Sequence, residues 1–205
     1  MPSTITDLFG AADLQLGGPV KWDQPVDCNQ HGVYIVSLSP DPNYNDEWLI
    51  DTAPISEEAV ARWIADVPGL TVDGRRPKPE ELVSRLSEFW LPDEAILYIG
   101  CTAGALGLGR RVQQYYCHVL GNPRPHSGGH WIKALSVLDC LTVFWAPTET
   151  PYPVEACALK AFVNGMSEKT RMCLRDPDRP FPFANLEYPR GNRKNHGIKR
   201  SRANR

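Results

Sequence analysis

Residues 96–116 read ILYIGCTAGALGLGRRVQQYY. Residues 96–99 are apolar and rich in β-forming side chains, and Gly100 follows them, which is typical of a buried strand near its end. A glycine-rich turn comes next, and then a helix-like run over residues 110–120 that Gly121, Asn122 and Pro123 would end. The stretch therefore predicts a strand, a turn and a helix.

The predicted helix places Arg111 and Tyr115 one turn apart on one face. Tyr98 falls near the end of the predicted strand, so the turn could bring two phenols and a guanidinium together. A cation for phosphate oxygens beside a phenol that passes a proton suits phosphodiester chemistry. Each residue alone also fits an ordinary role, a core tyrosine or a solvated arginine.

A second β-rich run lies upstream, at residues 32–36, GVYIV, with Tyr34 in its middle. The order GVY, then YIG at residues 98–100, then Arg111 and Tyr115 in a helix resembles the GIY-YIG nuclease superfamily. The helix is most similar to that of the excision-repair nucleases. The segment HSGG at residues 126–129 is similar to one in GIY-YIG restriction endonucleases.

The resemblance implies an α+β fold, with a small, mainly antiparallel three-stranded sheet flanked by helices. We expect an irregular N-terminal arm at residues 1–30, the nuclease-like domain at 31–187 and a basic tail at 188–205. A third strand is predicted at residues 141–145, a loop at 147–153 and an amphipathic helix at 154–163. Between the first two strands, residues 40–92 form an insertion with two predicted helices, which begin near Ser56 and Pro79.

The resemblance also implies a set of site residues and a metal. Glu155, expected in the first turn of its helix, would hold Mg²⁺ or Mn²⁺, although a glutamate there also suits the helix dipole. The final motif fits Asn185, with Asn164 as an alternative. The implied catalytic residues are Tyr34, Tyr98, Arg111, Tyr115, Glu155 and Asn185.

Charge is unevenly distributed along the chain. Residues 1–100 carry 17 acidic and 6 basic side chains, whereas residues 101–205 carry 7 acidic and 16 basic ones. The last 18 residues hold seven Lys or Arg and no acid, which favours a polyanionic partner or, alternatively, a solubilising tail. The predicted DNA contacts are Arg110, His126, Arg193, Lys194, Lys199 and Arg200.

Composition narrows the class of protein. The 205 residues suit one decorated domain. There is no apolar run of about 20 residues for a membrane span and no secretory pattern, so we expect a cytoplasmic protein. The six cysteines contain no C-x-x-C pair. Zinc at Cys117, His118, His126 and His130, or a nucleotide at the GALGLG turn, stays open as a less favoured alternative.

The sequence thus predicts a metal-dependent DNA endonuclease, with a restriction or defence role favoured. Two alternatives stay open. One is a module that binds nucleic acid but does not cut it, and the other is an interaction protein in which the motif is accidental. The choice between DNA and RNA and the target sequence stay open. Cutting a palindrome would require a homodimer or two successive reactions.

Overall fold

The computed structural model describes residues 3–122, 128–188 and 190–200. The architecture is α+β, with a four-stranded sheet between helices and a separate two-stranded sheet. No helix in the described ranges is long and apolar enough to cross a membrane. The strands are β1 (Gly18–Lys21), β2 (Gly32–Ser37), β3 (Leu70–Val72), β4 (Ile96–Thr102), β5 (Thr142–Pro147) and β6 (Ile198–Arg200). The helices are α1 (Ile5–Gly10), α2 (Glu57–Asp66), α3 (Pro79–Ser87), α4 (Gly107–Tyr116), α5 (Gly129–Lys133), α6 (Pro151–Gly165) and α7 (Glu168–Cys173).

The main sheet has the order β1-β5-β2-β4, and all of its pairs are antiparallel. The prediction of three strands was wrong, because β1 adds a fourth strand at the β5 edge. The predicted irregular arm at residues 1–30 was wrong for the same reason, since it contains both α1 and β1. β1 is only four residues long and joins the sheet by backbone pairing, which leaves little apolar pattern in the sequence.

The two faces of the main sheet bury separate apolar clusters. Tyr34 and Val36 point to one side, where α2, α3, α4 and α5 contribute to the core. Val33 and Ile35 point to the other side, where α1 and α6 cover the sheet. Successive residues of β2 face opposite sides of the sheet, and both sides are covered, so all six residues of the strand are buried.

The structure moves the boundaries of two helices in the region of the site. α4 ends at Tyr116, four residues before the predicted end at residue 120. α4 starts at Gly107, three residues earlier than predicted, so part of the glycine-rich turn is helical. α6 starts at Pro151, inside the predicted loop at residues 147–153, because a proline in the first turn loses no helical hydrogen bond. Glu155 therefore lies in the second turn of α6, and its predicted place in the first turn was wrong.

The insertion at residues 40–92 contains the two predicted helices, α2 and α3, which pack against each other. Ser56 caps α2, since its hydroxyl accepts a hydrogen bond of 3.1 Å from the Ala59 amide. Strand β3 of the insertion pairs with β6. Residues 198–200 of the predicted basic tail at 188–205 are therefore folded against the insertion, and the tail is not only a solubilising extension.

Candidate functional site

Two glycines of the sequence motif are explained by close packing. A Cβ atom at Gly100 would lie 2.5 Å from the Tyr98 ring, so the missing side chain makes room for that ring. A Cβ atom at Gly32 would lie 2.5 Å from the Leu108 side chain, which belongs to α4. The absence of a side chain at Gly32 therefore lets α4 pack close to β2, and its absence at Gly100 leaves room for the Tyr98 ring.

Three tyrosines form an aromatic cluster between the sheet and α4. The ring of Tyr98 stacks on that of Tyr115, with centroids 5.1 Å apart, and Tyr34 lies 5.7 Å from Tyr98 and 6.0 Å from Tyr115. Tyr34 and Tyr115 are buried. The structure thus brings together the three tyrosines that the sequence predicted, two from neighbouring strands and one from the helix.

A cavity of about 540 Å³ opens beside Tyr98, between the end of β4, the start of α4 and α6. We call it the tyrosine cavity; its polar and aromatic lining consists of Tyr98, Cys101, Thr102, Arg110, Arg111, Gln114, Tyr152 and Glu155. Of the three clustered tyrosines, Tyr98 alone lines it. Four of the predicted site residues, Tyr98, Arg110, Arg111 and Glu155, therefore share one cavity.

Glu155 and Arg111 are the charged groups inside this cavity. The Cys101 thiol donates a hydrogen bond of 3.2 Å to Oε2 of Glu155. Burial raises the pKa of Glu155, while this hydrogen bond and the Arg111 charge oppose the shift. Arg111 forms no salt bridge with another described side chain, so its charge is available to an incoming anion.

The phenols of the cluster stay protonated at neutral pH. Burial raises the pKa of Tyr98 to about 12, and the nearby Glu155 charge adds to the shift. Burial also holds the pKa values of Tyr34 and Tyr115 well above their usual range. Neutral phenols can orient a water molecule or relay its proton, but they are poor bases in this state.

Asn185 supports the strand that carries Tyr98. Its side-chain amide donates to the Ile99 carbonyl at 2.7 Å and accepts from the Ile99 amide at 2.9 Å. The side chain thus pairs with β4 as a neighbouring strand would. Asn185 does not line the tyrosine cavity, and the alternative residue, Asn164, is exposed and does not line it either.

The predicted DNA contacts are divided among several places. Arg110 is exposed at the tyrosine cavity, whereas Arg193, Lys199 and Arg200 line a second cavity. His126 lies outside the described residues.

Lys194 does not lie on the surface, which corrects the prediction that it contacts DNA. It is buried, and its Nζ donates to the carbonyls of Pro182 at 2.7 Å and Phe183 at 3.2 Å. Burial lowers its pKa to about 7.

The donor set of the tyrosine cavity fits a hydrated magnesium or manganese ion. Glu155 is the only acidic side chain among the described residues that line it. The described ranges contain no cluster of three His, Cys, Asp or Glu side chains that could hold a metal. Mg²⁺ commonly binds through one or two carboxylates and retains several waters. Oε1 of Glu155 could supply one such bond, since the Cys101 thiol occupies Oε2.

Sequence reasoning missed four polar or aromatic residues of the cavity, Cys101, Thr102, Gln114 and Tyr152, and spacing gave a signal for two of them. Tyr152 precedes Glu155 by three residues in α6, and Gln114 follows Arg111 by three in α4, so each pair shares a helix face. Cys101 directly follows the YIG motif. Its hydrogen bond to Glu155 depends on how α6 lies against β4, which the local sequence does not reveal.

Comparison of the chain with protein-family models, with curated proteins and with solved structures finds no match. The described residues define an α+β protein with an open polar cavity beside a four-stranded sheet.

Proposed function

We propose that the protein is a divalent-metal-dependent endonuclease that cleaves DNA phosphodiester bonds in the tyrosine cavity. The observation that carries the proposal is the grouping of Arg111, Glu155 and Tyr98 around one open cavity. A guanidinium, a carboxylate and a phenol are the groups that the resemblance to GIY-YIG nucleases implies. Tyr98 and Arg111 are joined by one turn, whereas Glu155 comes from α6, so its presence at the cavity does not follow from local spacing.

Arg111 would bind the scissile phosphate and stabilise the charge that develops on it. The charge of its guanidinium lowers the pKa values of Tyr98 and Glu155, so its positive field reaches both groups. In a partly enclosed cavity, a fixed cation stabilises developing negative charge more strongly than it would in water. Arg110, at the exposed rim, would contact a neighbouring phosphate.

Tyr98 would orient the attacking water and relay its proton. The water oxygen attacks phosphorus and its proton passes through the Tyr98 hydroxyl to solvent at the open mouth of the cavity. The bond from phosphorus to the leaving oxygen breaks, and the leaving oxygen takes up a proton from solvent. Tyr34 is buried behind Tyr98, so it would act by positioning that ring and not by touching the water. Tyr115 would position Tyr98 and α4 in the same way.

Glu155 would hold Mg²⁺ or Mn²⁺ through Oε1. The chemistry that the bound ion supplies is polarisation of the phosphoryl oxygen and easier departure of the leaving oxygen. Cys101 would keep the carboxylate in one orientation, because its thiol stays protonated and donates; burial and the Glu155 charge raise its pKa.

The test is nicking of supercoiled plasmid by the purified protein with Mg²⁺, with Mn²⁺ and with EDTA. Glu155→Gln keeps the shape of the side chain and should reduce nicking to the level of the EDTA sample. The matched control is Glu149→Gln, an exposed glutamate six residues earlier that does not line the cavity, and it should cut as the unmodified protein does.

A second outcome would favour the non-cutting binding module. The protein would bind DNA with a steep salt dependence but never nick it with either metal. Full nicking by Glu155→Gln would instead contradict the assignment of the carboxylate.

A further inference from the structure

A second cavity, of about 520 Å³, lies beyond the C-terminal end of α4. It is bounded by the insertion, the region around α5 and the C-terminal segment. We call it the tryptophan pocket; its aromatic and charged lining consists of Trp63, His130, Trp131, Arg193, His196, Lys199 and Arg200. It shares no lining residue with the tyrosine cavity.

The inner wall of the tryptophan pocket is aromatic. The rings of Trp63 and His130 stack with centroids 5.0 Å apart and an interplanar angle of 17°. Trp131 meets His196 edge-on at 5.6 Å. Burial lowers the pKa of each of these histidines to about 4, so both rings are uncharged at neutral pH. Trp63 and Trp131 are only 4% and 1% exposed, so they lie behind the half-buried rings of the two histidines. The surface that the wall offers to a ligand is therefore that of the neutral His130 and His196 rings.

Cations surround this wall at the rim. Lys199 and Arg200 are exposed residues of β6, and Lys199 has no salt bridge to another described residue. Arg200 donates to the Gly121 carbonyl at 2.7 Å, and Arg193 pairs with Glu187 at 2.9 Å, so these two are held in place. No acidic side chain occurs among the described residues that line the pocket.

We propose that the tryptophan pocket binds one unstacked nucleotide of a DNA strand, with its base against the aromatic wall and its phosphate at Lys199 and Arg200. The inference rests on the proposed function in that both assume a DNA partner. Aromatic side chains bind bases of any sequence by stacking, and a basic rim follows the sugar-phosphate chain. A volume of about 520 Å³ falls in the usual range of small-molecule sites.

The position of the pocket suits an anchor away from the reacting phosphate. The tyrosine cavity uses residues at the start of α4, whereas Gly121 of the tryptophan pocket lies beyond its end. The ten residues of α4 span about 15 Å. That length corresponds to about four to five base steps of 3.4 Å each. A strand could therefore occupy both cavities at once.

The experiment measures binding of two fluorescent single strands to the unmodified protein in EDTA, so that no cutting occurs. One strand contains ten thymidines, and the other contains ten abasic sugars with the same phosphates. We expect about tenfold tighter binding of the thymidine strand, because stacking of a base on an aromatic side chain favours it by that order.

Variants locate the source of this preference. Leu186→Trp places a larger side chain in the lining and should remove the preference. Trp63→Leu should remove it too, because the His130 ring loses the ring on which it stacks. Lys199→Glu should weaken the binding of both strands by a similar factor, since it changes a phosphate contact. Lys160→Glu, an exposed lysine of α6 outside both cavities, is its control and should have a smaller effect.

Crosslinking would show directly where a base lies. A strand with 5-iodouracil, irradiated in the complex, should give adducts on peptides that contain Trp63, His130 or His196. Equal affinity for both strands, a preference that survives in folded Leu186→Trp and Trp63→Leu proteins, or adducts confined to Tyr98 and Tyr152 would overturn the inference. Loss of plasmid nicking with an intact base preference would overturn only the proposed function.

Discussion

The tyrosine cavity and the tryptophan pocket arrange charge in opposite ways. In the tyrosine cavity the charged groups, Arg111 and Glu155, lie inside, next to a tyrosine that stays neutral. In the tryptophan pocket the inside is neutral and aromatic, and the cations occupy the rim. Internal charge can act on a reacting phosphate, whereas a neutral wall with a basic rim can only hold a nucleotide. The two proposals therefore assign chemistry to one cavity and recognition to the other.

The largest expected effect separates the two roles. Arg111→Gln should reduce plasmid nicking about 100-fold, because it removes a cation that stabilises the transition state. It should leave the preference for thymidine over abasic strands unchanged. The control is Arg62→Gln, which alters an exposed arginine paired with Glu58 on α2. A loss of base preference in Arg111→Gln would show that the cavities do not act separately.

The next effect concerns the strand behind the tyrosine cavity. Asn185→Ala should lower the free energy of unfolding by about 2 kcal/mol, since two buried backbone groups of Ile99 lose their partner. Asn164→Ala, at an exposed position, should change it by less than about 0.5 kcal/mol. Urea unfolding followed by circular dichroism measures both. Similar values for the two variants would mean that the Asn185 amide does not support β4.

A pH series should distinguish the cavities again. In the proposed mechanism nicking requires ionised Glu155, and burial raises the pKa of that carboxyl above the ordinary 4.5. As pH falls below this raised pKa, the rate should fall about tenfold per unit, because the protonated fraction no longer holds the metal. The base preference should not fall with the nicking rate between pH 5.5 and 8, since His130 and His196 remain neutral there and Lys194, which titrates in this range, is buried behind the pocket. A base preference that falls together with the nicking rate would contradict the separate roles of the two cavities.

The smallest effect concerns Lys194, whose ammonium lies 5.9 Å from the Trp131 ring behind the tryptophan pocket. Burial lowers its pKa from 10.5 to about 7, so between these values the unfolded chain binds more protons than the folded one. Stability should therefore rise with pH, by about 1 kcal/mol per unit near pH 8. Lys194→Met should abolish this rise, whereas Lys160→Met, at an exposed position, should retain it. A rise that persists in Lys194→Met would refute the assignment.

The sequence predicted best those helices and strands whose own periodicity of apolar side chains identifies them. The apolar runs of β2 and β4 and the two helices of the insertion form where the periodicity indicated, and the helix with Arg111 forms with shifted ends. Of these elements, β4 and α4 meet at the tyrosine cavity through one turn, so local spacing was enough to bring Tyr98 and Arg111 to the same cavity.

The parts that sequence reasoning missed depend on contacts between distant segments. β1 reaches β5, and β6 reaches β3, through backbone pairing that leaves no mark on side-chain type. Lys194 looked like a surface cation because lysine is rarely buried, and only the fold places two carbonyl groups at its ammonium. The tryptophan pocket combines α2, α5 and β6, which lie far apart in the chain.

The pairing of residues 184 and 185 with β4 also affects how the molecule meets other copies of itself. The Ala184 amide donates to the Leu97 carbonyl at 2.9 Å, and Asn185 uses both backbone groups of Ile99. The opposite edge is the four-residue β1, which contains Pro19. Edges that are covered, short or interrupted by proline resist edge-to-edge aggregation. Two copies that join to cut both strands of a duplex would therefore have to associate through helices or loops, because neither edge offers a free strand for a continuous intermolecular sheet.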